Sequence, residues 1–301
     1  MTPDDRRASR RRFHQSAFAL LATASAAVPW AQPRPRVVAS FSILADIVRE
    51  VSPPELDVSA LVGPDSDAHV FEPTPADGRR LAQADLVVVN GLGFEGWIER
   101  LVRVSGYRGT VVVATRGLAA RQGGHHGTDP HAWQDLAHGR RYAQTVAQAL
   151  AARWPQHQPQ VEQRLSDYQR RIDDLHARVL GWMAAIPRSQ RRVITSHDAF
   201  GYFAAAYGVD FLAPRSWTTR SEPSAAAVAR LVRQVREQKV RALFLENISD
   251  PRLIERIAAD SGARVGGTLY SDALSGVGGP APTYLAMFEH NARTLAAAMS
   301  G

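Results

Sequence analysis

Gln158 to Ala185 reads QPQVEQRLSDYQRRIDDLHARVLGWMAA, and this stretch decides the architecture. Val161, Leu165, Tyr168, Ile172, Leu175, Val179 and Met183 recur at spacings of three and four, which puts them on one face of a helix. Pro159 is tolerated in a first turn, and Pro187 stops the run. About 28 residues at 1.5 Å each make a rod of roughly 40 Å, more than one small lobe needs. The spacing predicts a spine helix joining two lobes.

Both flanks of that rod alternate strand and helix patterns. On the N-terminal side, strands are expected over Arg36–Phe41, Leu56–Val62, Asp85–Asn90 and Thr110–Thr115. Helices are expected over Ser42–Glu50, Thr74–Ala84, Phe94–Val104 and His138–Ala152, with Thr74 as N-cap and Pro75 at the first helical position. On the C-terminal side the strands are Arg192–Thr195, Phe211–Ala213, Val240–Leu245 and Arg264–Leu269. The helices there are Ala199–Tyr207, Ser224–Gln238, Pro251–Ser261 and Pro282–Met299. Such alternation argues for parallel strands covered by helices. The expected fold is α/β, with lobes over 36–154 and 188–301, a linking helix within 155–187, and a cleft between the lobes. No residue-level repeat relates the halves.

Composition narrows the function. A chain of 301 residues with 45% hydrophobic and 22% charged residues buries a substantial core. The formal net charge is +7, but the first 26 residues hold five Arg and two Asp, leaving about +4 for the remainder. The one lysine is Lys239, the positive charge is scattered and no reading motif is present, so nucleic acid is a poor partner. There is no cysteine, which excludes disulfides, thiolate metal sites, cysteine catalysis and a lipid-modified cysteine.

The N-terminus reads as an export signal, residues 1–26. Arg6, Arg7, Arg10, Arg11 and Arg12 are followed by an apolar stretch from Ala17 to Val28, and Ala24-Ser25-Ala26 offers a cleavage site. Ser9-Arg10-Arg11-Arg12-Phe13 resembles the twin-arginine pattern, and an ordinary secretory signal with surplus arginines is the alternative. Either route predicts a mature protein in a bacterial periplasm, monomeric and soluble.

The candidate chemistry lies at strand ends. His69 sits in a proline-pinned loop, Gly63 to Pro75, after the second strand. His131 is in Asp129-Pro130-His131-Ala132-Trp133, where proline restricts the turn and Trp133 can anchor it. His197 ends the strand Val193-Ile194-Thr195, and Asp272 follows Val265–Leu269. Loops at the C-terminal ends of strands are where α/β folds expose ligand groups. Two of these residues fall in each lobe. Three imidazoles and a carboxylate suit tetrahedral zinc, and the donor set also tolerates cobalt, nickel or manganese. His138, His157, His176 and His290 lie in helical or polar surroundings and read as surface or local hydrogen-bonding residues. The alternative at the four strand-end positions is a set of unrelated polar residues.

The order and context of several phrases resemble the periplasmic metal-binding proteins of bacterial ABC transporters, in the zinc/manganese family. They are Ser40-Phe41-Ser42-Ile43-Leu44-Ala45-Asp46, His69-Val70-Phe71-Glu72-Pro73-Thr74-Pro75-Ala76-Asp77 and Ala84-Asp85-Leu86-Val87-Val88-Val89-Asn90-Gly91. The others are Asp129-Pro130-His131-Ala132-Trp133, Ser196-His197-Asp198-Ala199-Phe200-Gly201-Tyr202-Phe203 and Ser271-Asp272-Ala273-Leu274. The resemblance implies a buried metal between two lobes, held by His69, His131, His197 and Asp272. It is closest to the zinc branch, because manganese-preferring relatives often carry glutamate at the position of His197. It implies Zn2+ as cargo and an ABC transporter permease as partner, with a periplasmic metallochaperone as a further candidate. Glu246 is read as a supporting acid beside the site, with a water-mediated role as the alternative. Two departures stand out. The His-rich loop of many zinc-binding relatives is reduced here to Gly123 to Asp129, carrying His125 and His126 as auxiliary residues; and Trp133-Gln134-Asp135-Leu136 has leucine where many relatives have proline. Competing functions are a manganese or ferrous iron receptor, an exported zinc-dependent hydrolase with Asp272 as base, and a metal-dependent adhesin.

Overall fold

The computed structural model describes residues 34–123, 127–212, 224–238, 240 and 242–300. The expected export segment, His125 and His126, and Ala213 lie outside the described residues. Two four-stranded parallel sheets are built. The first holds β1 (Arg36–Phe41), β2 (Asp57–Val62), β3 (Leu86–Val89) and β4 (Thr110–Val113) in the order β2-β1-β3-β4. The second holds β5 (Arg192–Ile194), β6 (Asp210–Leu212), β7 (Ala242–Glu246) and β8 (Arg264–Leu269) in the order β6-β5-β7-β8. The two orders are equivalent, so the halves repeat in topology even though their sequences do not. Helices α1 (Ser42–Val51), α2 (Pro75–Ala82), α3 (Ile98–Ser105) and α4 (Leu136–Arg153) accompany the first sheet. The spine α5 (Gln158–Ala184) follows, then α6 (Gly201–Tyr207), α7 (Ala225–Glu237), α8 (Pro251–Ser261) and α9 (Tyr284–Ser300).

The strands are apolar on both faces because both faces are covered. In β1, Val37, Ala39 and Phe41 enter one core while Val38 enters another; in β3, Leu86 and Val88 go one way and Val87 and Val89 the other. The second sheet divides likewise, Val193, Ala242 and Phe244 inward and Ile194 and Leu243 outward. The inward faces of both sheets belong to a single continuous core that also takes in α1, α4, α5 and α9. The outer faces form two separate smaller clusters under α2–α3 and α7–α8. The lobes are therefore two sheets sharing one interior. In β8 the close approach requires glycine: a Cβ on Gly267 (φ +130) would lie 2.8 Å from Thr294 of α9.

Helix α3 starts four residues later than the expected Phe94, and the reason is local. Gly91, Leu92 and Gly93 all have positive φ, and the buried Glu95 carboxylate turns back to accept from Ser40 Oγ (2.5 Å), Asn90 N (2.6 Å) and Gly91 N (3.1 Å). That turn spends Phe94 on the core instead of on a helix. Helix α2 begins as expected, with Thr74 and Asp77 forming a reciprocal capping box and Pro75 opening the helix.

The spine buries Val161, Tyr168, Ile172, Leu175, Val179 and Met183. Along its polar side, Arg171 pairs with Glu50 of α1 at 2.8 Å and Arg178 with Glu289 of α9 at 3.3 Å, so it holds both halves. A second tie runs directly between α1 and α9: Asp46 Oδ2 accepts from Tyr284 N, the first residue of α9, at 2.7 Å. Burial raises the Asp46 carboxyl from 3.8 to about 6; the Tyr284 amide opposes that, Glu50 adds to it, and Arg49 and Arg171 oppose it. A carboxyl raised on folding loses stability as pH climbs from the unfolded value to the folded one, here between about 4 and 6, and the loss persists above. Asp46→Asn keeps an acceptor for Tyr284 and removes the charge. It is expected to raise stability by about 1–3 kcal/mol at pH 7–8 and by far less at pH 4, measured by denaturant melts of the metal-free protein.

Candidate metal centre

Each of the four strand-end residues is held by a device that can be traced to its neighbours. His69 lies between β2 and α2, where its backbone N donates to Asp67 Oδ1 (2.7 Å) and Trp97 Nε1 donates to Ala68 O (2.8 Å). His131 follows β4; one oxygen of Asp129 accepts from its backbone N (3.0 Å) and lies 2.8 Å from its ring Nδ1. Asn90 at the end of β3 donates to Pro130 O at 2.9 Å, which fixes the same turn from the first sheet. His197 follows β5 and is gripped by Glu246 from the end of β7. Oε1 accepts from His197 N (2.9 Å), and Oε2 lies 2.7 Å from Nδ1 as an ion-pair contact. Asp272 follows β8 and is fully buried.

These devices aim three Nε2 atoms at one carboxylate. His69 and His197 Nε2 are each 3.2 Å from Asp272 Oδ2, and His131 Nε2 is 3.6 Å from Oδ1. His69 and His131 Nε2 are 3.2 Å apart, and one donor atom from each of the four residues lies within 4.8 Å of the others. Bonds of about 2.0–2.1 Å to a tetrahedral ion place donors about 3.3 Å apart, so three of these spacings are already those of a filled site. Neither Asp272 oxygen has an aligned hydrogen-bond donor among the described residues. A buried carboxylate in that state calls for a cation. Phe94 packs edge-on against His69 at 4.6 Å, and Trp133 against His131 at 5.3 Å, so the surroundings are aromatic. A quarter of the His69 side chain (24%) is exposed, against 6% for His131 and 8% for His197, so solvent reaches the cluster beside His69.

The electrostatics follow from that packing. Burial works against charging His131, but Asp272 and Asp129 outweigh it and raise the ring to about 9. Burial likewise opposes charge on His197, and Glu246 and Asp272 carry it well above the ordinary imidazole value. Asp272 is pushed up by burial yet held well below the usual carboxylate range by His131 and His197. The contacts that favour charge on His131 and His197 thus also favour the ionised forms of Asp272 and Glu246.

Sequence reasoning missed the support that Asp129 gives and anticipated that of Glu246 without its partner. The sequence signal for Asp129 is a repeated Asp-x-His, present as Asp67-Ala68-His69 and Asp129-Pro130-His131. In both, the aspartate accepts the histidine amide two residues on. His197 has the same double grip as His131 but from Glu246, 49 residues away, which no local pattern shows. The leucine in place of proline changes little. Asp135 caps α4 by accepting from Ala137 N (2.9 Å), and Leu136 occupies the first helical position in the core. The remaining described histidines engage locally, His176 with Tyr207 Oη, His290 with Thr268 O, His157 with Gln160 and His138 with Asp135.

The family described as zinc-uptake complex component A, periplasmic, matches residues 37–298. The chain belongs to this family. Its members are substrate-binding receptors of ABC transporters and not enzymes, which removes the hydrolase reading. Zinc-binding protein TroA of Treponema pallidum is 31% identical, over 90% of each chain, and its solved structure superposes with a TM-score of 0.84 over 88% of this chain and 99% of TroA. Iron-binding protein YfeA of Yersinia pestis is 30% identical over 87% of this chain and 85% of its own. Manganese-binding lipoprotein MntA of Halalkalibacterium halodurans is 29% identical over 88% of both. The two-lobed fold with its long helix is that of TroA.

Because the folded His131 pKa lies above the ordinary 6.5, its charge stabilises the metal-free fold below about 6.5, and that contribution is lost as pH rises through about 9. Metal affinity runs the opposite way, since an ion must displace those protons. Loading a divalent ion at pH 7 is expected to release about two protons, with affinity falling from pH 8 to pH 6. Calorimetric titration in buffers of different ionisation enthalpy measures the count, and a value near zero contradicts this electrostatic account.

Proposed function

We propose that this chain is a zinc receptor in which His69, His131, His197 and Asp272 bind one Zn2+ for delivery to a membrane permease. That it is an extracytoplasmic metal-binding receptor of an ABC transporter follows from its family. The choice of zinc rests on one observation, the third imidazole at His197 converging with the other two on a single carboxylate. Three nitrogen donors and one oxygen suit a small borderline cation, whereas manganese favours more oxygen donors and a larger coordination number. Capture consists of replacing the ion's water by three neutral nitrogens and Asp272 in a buried pocket, where their pull is stronger than in water. The permease with its ATPase would draw the ion inward.

Residues 1–26 are assigned as the export signal, and the periplasm as the place of action. MntA is named a lipoprotein, but these 301 residues contain no cysteine to carry a lipid. A mature monomer and a metallochaperone partner complete the proposal. No helix among the described residues is long and apolar enough to cross a membrane.

The names of YfeA and MntA make ferrous iron and manganese the competing cargoes. Competitive titration of equimolar zinc, manganese and ferrous iron at fixed pH, read by mass spectrometry of the bound metal, is expected to return zinc. Selection of manganese would overturn the cargo while leaving the ligands standing. His197→Ala is expected to weaken zinc by at least about a hundredfold with the circular dichroism unchanged, since loss of mere outer partners costs 10–100-fold. His197→Glu should shift relative preference towards manganese. Replacing His125 and His126 together by Ala should leave a single central site with most of its equilibrium affinity; loss of stoichiometric binding would give the loop a larger role.

A further inference from the structure

By chain position the cluster divides evenly, His69 and His131 from the first half and His197 and Asp272 from the second. The hydrogen bonds divide it differently. The segment carrying Asp272 leaves β8 and crosses to the first lobe, where its main chain is bonded along its length. Ser271 O accepts from Trp133 Nε1 and Gln134 Nε2, both at 2.8 Å. Leu274 N donates to Ser42 Oγ at 3.0 Å, and Leu274 O accepts from Asp65 N at 2.9 Å. Gly276 N donates to Asp65 Oδ2 at 3.0 Å. From its own lobe the same stretch receives a longer contact, Asn247 Nδ2 to Ala273 O at 3.4 Å, and the Ser271 hydroxyl beside Glu246; it also closes on the following turn, where Ser275 N donates to Ala281 O at 2.9 Å and Ala281 N to Ser275 Oγ at 3.0 Å. Asn247 is itself tied to Asp65 Oδ1 at 3.0 Å. Asp65 thus reaches across the rim of the cleft with its backbone and both side-chain oxygens, and it does so from a left-handed conformation, φ +50.

His197 has no such cross-lobe support among the described residues. Its amide and ring are held by Glu246 of β7, and its carbonyl accepts from Thr195 Oγ1 and Ala199 N. All of these belong to the second lobe.

We propose that the site is built three to one: His69, His131 and Asp272 form a half-site assembled on the first lobe before metal arrives, His197 closes it from the second, and Asp65 is the positioning residue that keeps Asp272 in the half-site. This rests on the four-ligand reading above. The half-site carries the carboxylate and the solvent-reached His69, so an incoming ion meets charge and two nitrogens first. His197 is the ligand that arrives last and leaves first, and release requires the His197–Glu246 unit to withdraw without unfolding the Asp272 loop.

The test is hydrogen exchange on the full mature protein, with and without zinc, together with zinc transfer to a chelator. Metal-free protein is expected to protect the Leu274 and Gly276 amides within about tenfold of the loaded protein, while residues 195–200 gain protection mainly on loading. Asp65→Ala should expose Gly276 in the metal-free state and speed zinc loss by about tenfold, the scale of one or two hydrogen bonds. Asp65→Asn, which tolerates the left-handed backbone and keeps one acceptor, should give a smaller increase and controls for folding. A 271–276 segment that exchanges freely without zinc and is protected only with it overturns the proposal. So does zinc loss unaltered in both variants. Failure of the four-ligand reading shows separately, as zinc binding by Asp272→Ala undiminished from wild type, and leaves the metal-free exchange result intact.

Discussion

A fully buried carboxylate without an aligned donor is the constraint around which the site is organised. Asp272 lies inside the shared interior of two sheets, where an unpaired charge is costly. The nearest relief is three imidazole Nε2 atoms at 3.2–3.6 Å. Two of those rings are kept from turning away, because Asp129 and Glu246 hold His131 and His197 at both backbone and Nδ1. Fixing one ring nitrogen by a carboxylate leaves the other to face inward, which is how outer partners orient metal ligands. The chain thus surrounds one buried negative charge with groups that accept either protons or a metal.

The place of that charge follows from topology. With the orders β2-β1-β3-β4 and β6-β5-β7-β8, the C-terminal ends of both sheets face a common space, and loops leaving β2, β4, β5 and β8 supply the four residues. The continuous inner core and the spine's ion pairs to Glu50 and Glu289 hold those loop ends together. Two lobes that share an interior cannot swing apart as independent bodies without exposing it. Opening is therefore confined to the loops above the core, and this makes the unequal sharing of the Asp272 segment consequential.

Much of this was legible in the sequence. The observed bounds of β1, β8 and α8 coincide with the expected ones, and the spine ends within one residue of its expected limit, because period-two and period-four patterns bounded by proline and glycine are local signals. The four site residues were legible as polar groups at strand exits, strengthened by their order along the chain. Features created by distant contacts were not. The late start of α3 depends on Glu95 folding back to Ser40, 55 residues earlier. The topological repeat has no residue-level trace, and although Glu246 reads as a supporting acid beside the site, its grip on His197 shows only when β7 is seen beside β5. Asp65 looks like a loop aspartate, since its partners Asn247, Leu274 and Gly276 lie across the chain.

The same electrostatics bears on what kind of ion the pocket accepts. In the metal-free state two of the buried rings, His131 and His197, are driven toward the charged form by Asp272 and its neighbours. A dication that displaced both protons, as expected above, would leave the total charge enclosed by the core the same before and after. A monovalent ion displacing both protons would leave one negative charge uncompensated, and displacing only one would leave a cation beside an imidazolium. Either outcome carries a cost in a low-dielectric interior, on the order of several kcal/mol for a buried unpaired ion. On the proposed four-ligand reading, exchange of two protons for one dication keeps the enclosed charge constant, and the choice among divalent ions is left to donor type. On that reading the third imidazole stands where an oxygen donor would suit manganese, so His197 is the residue proposed both to close the site and to set its preference.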